Sequence, residues 1–124
     1  MSEQVAEVIR VRQLEVVDSE GNTRAEMHVD DKEAVALQML GVDGKVLSAL
    51  SVLPDGSTTL NLNSQNRKAS VLVTSAPEGL LGLVLLDEEQ RQRAAVLYTR
   101  EHGPAVRVHD EAGKVVWSAV NPQW

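Results

Sequence analysis

The run Leu14-Glu15-Val16-Val17-Asp18-Ser19-Glu20-Gly21-Asn22-Thr23-Arg24-Ala25-Glu26-Met27 decides the fold. Leu14 and Val16 flank Glu15, Ala25 and Met27 flank Glu26, and an acidic stretch ending in glycine separates the two alternating segments. Alternation with period two marks a strand with one buried face. An aspartate at the head of a turn accepts a hydrogen bond from the N–H two residues on, and glycine takes the left-handed conformation that lets the chain reverse. The run therefore predicts a β-hairpin.

The same pattern recurs along the chain. Apolar pairs stand at Leu14/Val16, Leu37/Met39, Leu60/Leu62, Leu83/Leu85 and Val106/Val108, each 23 residues after the last. Turn segments Asp18 to Gly21, Val42-Asp43-Gly44, Asp87 to Gln90 and Asp110 to Gly113 follow four of them, and Gly21, Gly44 and Gly113 are expected at positive φ. Returning strands begin at Ala25, Ser48, Ala94 and Trp117, nine residues after the second member of each pair. The third repeat departs, because Ala69-x-Val71-x-Val73 begins seven residues after Leu62 and no glycine occurs in Asn63 to Asn66. It reads as a shortened turn offset by a longer linker. The linkers carry Pro54-Asp55-Gly56, Pro77-Glu78-Gly79 and Gly103-Pro104, whereas Asp30 to Ala36 lacks both breakers and is read as able to hold a helical turn.

These signals predict an all-β fold: five tandem 23-residue hairpin repeats, near residues 11–29, 35–52, 58–73, 81–98 and 104–121, in a single domain over 1–124. The expected arrangement is an antiparallel meander rolled into a barrel-like or two-layer form. A parallel β-solenoid with one coil per repeat is the alternative, and the tight Asp-x-x-Gly reversals favour hairpins.

The repeats resemble a loosely defined group of uncharacterised bacterial proteins built from tandem units close to L-x-L-x-D-x-x-G-x-x-R-A-x-L and often ending near L-W-S-A-P. Leu14 to Met27, with Arg24-Ala25, and Leu83 to Val96, with Arg93-Ala94, match best, and Val116-Trp117-Ser118-Ala119 is similar to that ending. Leu47 and Val116 stand where the Arg would sit in the second and fifth units, and Gln90 replaces Gly in the fourth. The resemblance implies a repeat fold and nothing about chemistry.

Composition narrows the function. A formal charge of −6 and a pI near 5.0 argue against a nucleic-acid partner, since counterion release needs clustered Lys and Arg. With no cysteine there is neither a disulfide nor a thiolate chemistry to invoke. The acidic start Met1-Ser2-Glu3-Gln4 lacks the features of a signal peptide, so a cytoplasmic location, or export without an evident signal, is expected. The longest apolar run, Leu80 to Leu86, is too short to span a membrane.

Alternation assigns the paired apolar residues to a buried face, with Glu15, Glu26, His28, Asn61, Ser70 and Arg107 on the other. That second face is itself apolar in the fourth repeat. Either this hairpin is central in a two-layer structure, or Val84, Leu86, Ala95 and Leu97, with Leu40 of the second repeat, form a self-association surface or, less readily, a ligand groove. Self-association is the expectation adopted, with a homo-oligomer as the expected state. Trp117 and Trp124 could form a sugar platform, but Trp117 stands at an inward repeat position and is expected to cap the C-terminal end of the core.

His28, His102 and His109 share no ligand spacing, no calcium-loop pattern runs through the acidic turns, and Ser48, Ser51 and Ser118 lack a nucleophile elbow. No catalytic, cofactor-binding or metal-binding residue is assigned. The expected function is a non-enzymatic structural or assembly module that self-associates; the alternative is a binding module for a glycan, peptide or lipid.

Overall fold

The computed structural model describes residues 4–66 and 68–120. Ten strands follow one another: β1 Gln13–Val17, β2 Thr23–Val29, β3 Val35–Leu40, β4 Val46–Val52, β5 Thr58–Asn63, β6 Ser70–Ser75, β7 Leu81–Leu86, β8 Gln92–Thr99, β9 Gly103–His109 and β10 Val115–Val120. They form one sheet in chain order, every neighbouring pair antiparallel. Each strand contacts only its chain neighbours, and β1 does not meet β10.

The sheet is thus open and one layer thick among the described residues. Barrel closure, a second layer and the parallel pairing of a solenoid are not the arrangement found. The reason lies in the connections: every one is too short to carry the chain to another layer.

Seven of the connections share one closure: Asp18–Asn22, Asp30–Ala34, Gly41–Lys45, Leu53–Ser57, Ala76–Leu80, Asp87–Arg91 and Asp110–Lys114. In each, the first N–H donates to the last carbonyl at 2.9–3.0 Å and the fourth N–H donates to the first carbonyl at 2.9–3.1 Å. The fourth residue always has positive φ. It is glycine at Gly21, Gly44, Gly56, Gly79 and Gly113, but Glu33 (φ 67) and Gln90 (φ 63) hold the same conformation in the other two.

In these seven connections hairpin turns and linkers are therefore the same structure, whereas the β8–β9 linker is tighter, with Thr99 paired to Gly103 and its Oγ1 accepting the His102 N–H. The segment Asp30 to Ala36 contains this turn and the start of β3, not a helical turn. Closures begin at Asp18, Asp30, Gly41, Leu53, Ser64, Ala76 and Asp87, in alternating steps of 12 and 11 residues, so the 23-residue period contains two strand-and-turn units.

The alternation of step length has a local cause. Arg24, Leu47, Arg93 and Val116 are each skipped in the pairing register, which makes them single-residue β-bulges beside the turn. The turn after β5 has no such bulge, and its Ser64 N–H reaches the Ala69 carbonyl at 2.9 Å across a loop one residue longer. Leu62 consequently pairs with Val71, nine residues on, as Val16 pairs with Ala25. No compensated deletion exists in the third repeat. The residue that is a bulge elsewhere has moved into the loop, and Val71, not Ala69, is the equivalent of Ala25.

A side chain with a Cβ is strained at positive φ by roughly 1 kcal/mol. Glu33→Gly is expected to raise the unfolding free energy by on the order of 0.5–1 kcal/mol, measured by urea denaturation, while Gly21→Ala lowers it by a similar amount.

Candidate functional site

Strand registers sort the side chains into rows that run across the sheet. On one face the central row is Leu14, Met27, Leu37, Leu50 and Leu60 across β1 to β5, continued by Val73, Leu83, Val96, Val106 and Ala119 across β6 to β10. No polar residue interrupts it. The row nearer the bulges holds Val16, Ala25, Met39, Ser48 and Leu62, then Val71, Leu85, Ala94, Val108 and Trp117. The third row runs Val29, Val35, Val52 and Thr58, then Ser75, Leu81, Tyr98 and Pro104. These three rows carry no Asp, Glu, Lys, Arg or His.

All five apolar pairs lie on this face, which the alternation expects to be core. The structure leaves it bare. Leu14 is 51% exposed, Met39 54% and Val96 51%, and every pair has at least one exposed member. Periodicity fixes which side chains share a face, but a sheet covers nothing by itself, and no strand of this chain packs over another. The described residues that are buried are small: Gly41, Gly82, Ala95 and Ala105. Trp117 is 54% exposed on the edge strand β10, so it seals no core within the chain; Trp124 lies outside the described residues.

The opposite face is mixed. Its central row reads Glu15, Glu26, Gln38, Ala49 and Asn61, then Leu72, Val84, Ala95, Arg107 and Ser118. Val84, Leu86, Ala95 and Leu97, with Leu40, all lie on this side, but Ala95 is 1% exposed and the other four are half-buried. Gly82 faces Leu97 here, and a Cβ at position 82 would stand 3.1 Å from a Leu97 methyl. At the sheet's other end Glu15 pairs with Glu26, whose Oε1 lies 2.9 Å from His28 Nδ1.

The aliphatic face has a depression of about 530 Å³ over β4 to β9, floored by Leu60, Val73, Leu83 and Val96 and edged by Tyr98 and Pro104. Its lining is almost wholly hydrocarbon. Among the described residues no group of three His, Asp or Glu side chains is placed to hold a metal ion.

The motif Asp and Arg are explained by backbone satisfaction. Asp18, Asp30, Asp87 and Asp110 each accept, through Oδ1, the N–H groups two and four residues on, at 2.9–3.0 Å. Asp43 and Asp55 take the N–H groups of Lys45 and Ser57 instead. The bulged Arg24 donates from Nε to the Leu40 carbonyl, and Arg93 to the His109 carbonyl, both at 3.1 Å. Each also faces the aspartate of its own turn, Arg24 to Asp18 at 3.9 Å and Arg93 to Asp87 at 3.5 Å. A β-bulge turns this side chain toward the sheet end, where unpaired carbonyls need donors. The spacing Asp-x-x-Gly-x-x-Arg is a hairpin-to-hairpin tie. Sequence alone offered the Arg as a motif residue without this role, since a bulge leaves no periodic trace.

The chain matches no family model and no curated protein sequence.

The N–H groups of Asn22 foremost, and of Glu20, hold the Asp18 carboxyl below its usual 3.8. The Ser57 N–H does the same for Asp55. Desolvation pushes Asp87 up, but the Arg91 and Glu89 N–H groups and the Arg91 guanidinium outweigh it, and its net value is also lowered. A carboxyl depressed on folding contributes stability that is present above its unfolded value and lost as pH falls through its folded one. The thermal midpoint is therefore expected to drop steeply below about pH 4, and Asp87→Asn to flatten that acid limb in circular dichroism melts.

Proposed function

We propose that this chain is a non-enzymatic structural module that works by self-association. The observation that supports it is the aliphatic face: an unbroken ten-residue apolar row over which no strand of the described residues packs, with only Ile9 and Val11 beside it at the Leu14 and Met27 end. Soluble proteins rarely expose contiguous apolar patches beyond a few hundred Å², and larger ones mark contacts. A single antiparallel layer gains too little from burial to offset the ordering of its backbone, so the fold and its covering form together.

The wider apolar surface lies on the face of the 23-residue pairs, while the patch around Val84, Leu86, Ala95 and Leu97 is narrower and partly covered within the chain. Self-association is assigned to the former. Sedimentation equilibrium of the wild-type protein should give twice 13.5 kDa or a higher integer multiple, with a β-type circular dichroism spectrum. A β-structured monomer at all accessible concentrations would overturn the proposal. The double variant Leu86→Asp/Leu97→Asp, on the opposite face, is expected to keep the wild-type mass.

The alternative class, a binding module, has one feature in its favour. The depression between Leu60, Val73, Leu83 and Val96 has the size and the hydrocarbon lining to hold an acyl chain. Saturable binding of a fatty acid by a monomer, read by calorimetry, would move the function to lipid carriage.

A further inference from the structure

The aliphatic face is complementary to itself in one orientation, and we infer that two copies pack face to face about a twofold axis parallel to the strands between β5 and β6. The inference rests on the self-association proposed above and specifies its geometry. Such an axis sets β1 over β10 of the second copy, β2 over β9, and so on to β5 over β6, and keeps every residue in its own row.

Side-chain size then alternates across the interface. In the central row Leu14 meets Ala119, Met27 meets Val106, Leu37 meets Val96 and Leu60 meets Val73 of the second copy, each a larger residue against a smaller one, while Leu50 meets Leu83. In the row beside the bulges Met39 meets Ala94 and Ser48 meets Leu85. The adjacent hydroxyl-bearing residues of the third row, Thr58 and Ser75, meet each other. Large against small is how facing layers interdigitate without voids, and a hydroxyl placed against a hydroxyl avoids burial against hydrocarbon.

The other twofold, parallel to the rows, fails on the same residues. It sets leucine on leucine at positions 14, 37, 50, 60 and 83, where the first axis pairs only Leu50 with Leu83. It also exchanges the outer rows, so that Thr58 lies against Leu62, Ser75 against Val71 and Ser48 against Val52, where the first axis leaves only Ser48 against hydrocarbon. With no ionisable group but Tyr98 on the face, a twofold brings no like charges together. Ten strands about 4.8 Å apart and three side-chain rows about 7 Å apart span roughly 900 Å², against the roughly 800 Å² per partner of a standard stable interface. Aligned packing with sheets about 10 Å apart gives a sandwich in which each copy supplies one layer.

Two experiments test the axis. Leu50 is set to meet Leu83 of the second copy, so Leu50→Glu alone and Leu83→Lys alone should each lose the dimeric mass. Refolded together they should regain it as a heterodimer, in which one opposite-charge pair and one leucine pair form. The milder pair Met39→Ala and Ala94→Met guards against misfolding. Within a chain these positions are five strands apart, roughly 24 Å, too far to couple directly.

Each of these single variants should raise the dimer dissociation constant by about tenfold or more, and the double variant should return it to within about threefold of wild type. Strictly additive effects, no rescue on mixing, or single charge variants that remain dimeric would overturn the geometry. A wild-type protein that is a dimer in those same runs leaves self-association standing; a monomeric wild type overturns both.

Discussion

A left-handed residue at the fourth position of the five-residue closing turn, found in seven of the connections, is the constraint on which most of the sheet depends. With that residue in place the chain reverses in five residues, too few to reach another layer, and the strands can only lie side by side in order. Glycine meets the requirement at most turns, but Glu33 and Gln90 meet it at a steric cost. Two paired backbone hydrogen bonds at those positions show that turn closure outweighs residue preference. Aspartate supports the same closure from the side chain by accepting N–H groups the reversed chain leaves over.

What the turns build they do not cover. A ladder satisfies its interior backbone groups whatever lies above it, so hydrogen bonding alone makes a sheet complete in its backbone and incomplete in its packing. Leu14, Met39 and Val96 illustrate the division: their backbone pairs are made within the chain, and their side chains stand more than half exposed. A face without charges has little but the order of side-chain sizes along its rows by which to select a register.

Much of the strand order was legible from residues alone, because alternation around Leu14, Leu37, Leu60, Leu83 and Val106 is unbroken and glycine marks Gly21, Gly44 and Gly113. The turn at Asp30 to Ala34 was not, since Glu33 gives no sign of positive φ before the backbone is seen. The third repeat misled for a different reason. Its alternation extends back to Ala69, and only the pairing of Leu62 with Val71 shows that the extra residue sits in the loop and not in a bulge. The apolar face was legible as a face but not as an uncovered one, because a period-two pattern records which side chains are neighbours and is silent on what lies opposite them. The role of Arg24 and Arg93 was hidden by the bulge that turns them to their carbonyls.

The equivalence of turn and linker makes the chain a ruler graduated in hairpins. Removing or adding 23 residues takes out or inserts two strands, which restores strand direction, bulge placement and the assignment of every side chain to its face; removing one strand with its turn would reverse the direction of all that follows. Sheet width in such a chain changes in increments of about 10 Å, the span of two strands. Growth by whole hairpins thus lengthens the aliphatic surface without altering its chemistry, and every length with an even number of strands keeps a gap between its two central strands where a twofold axis can lie.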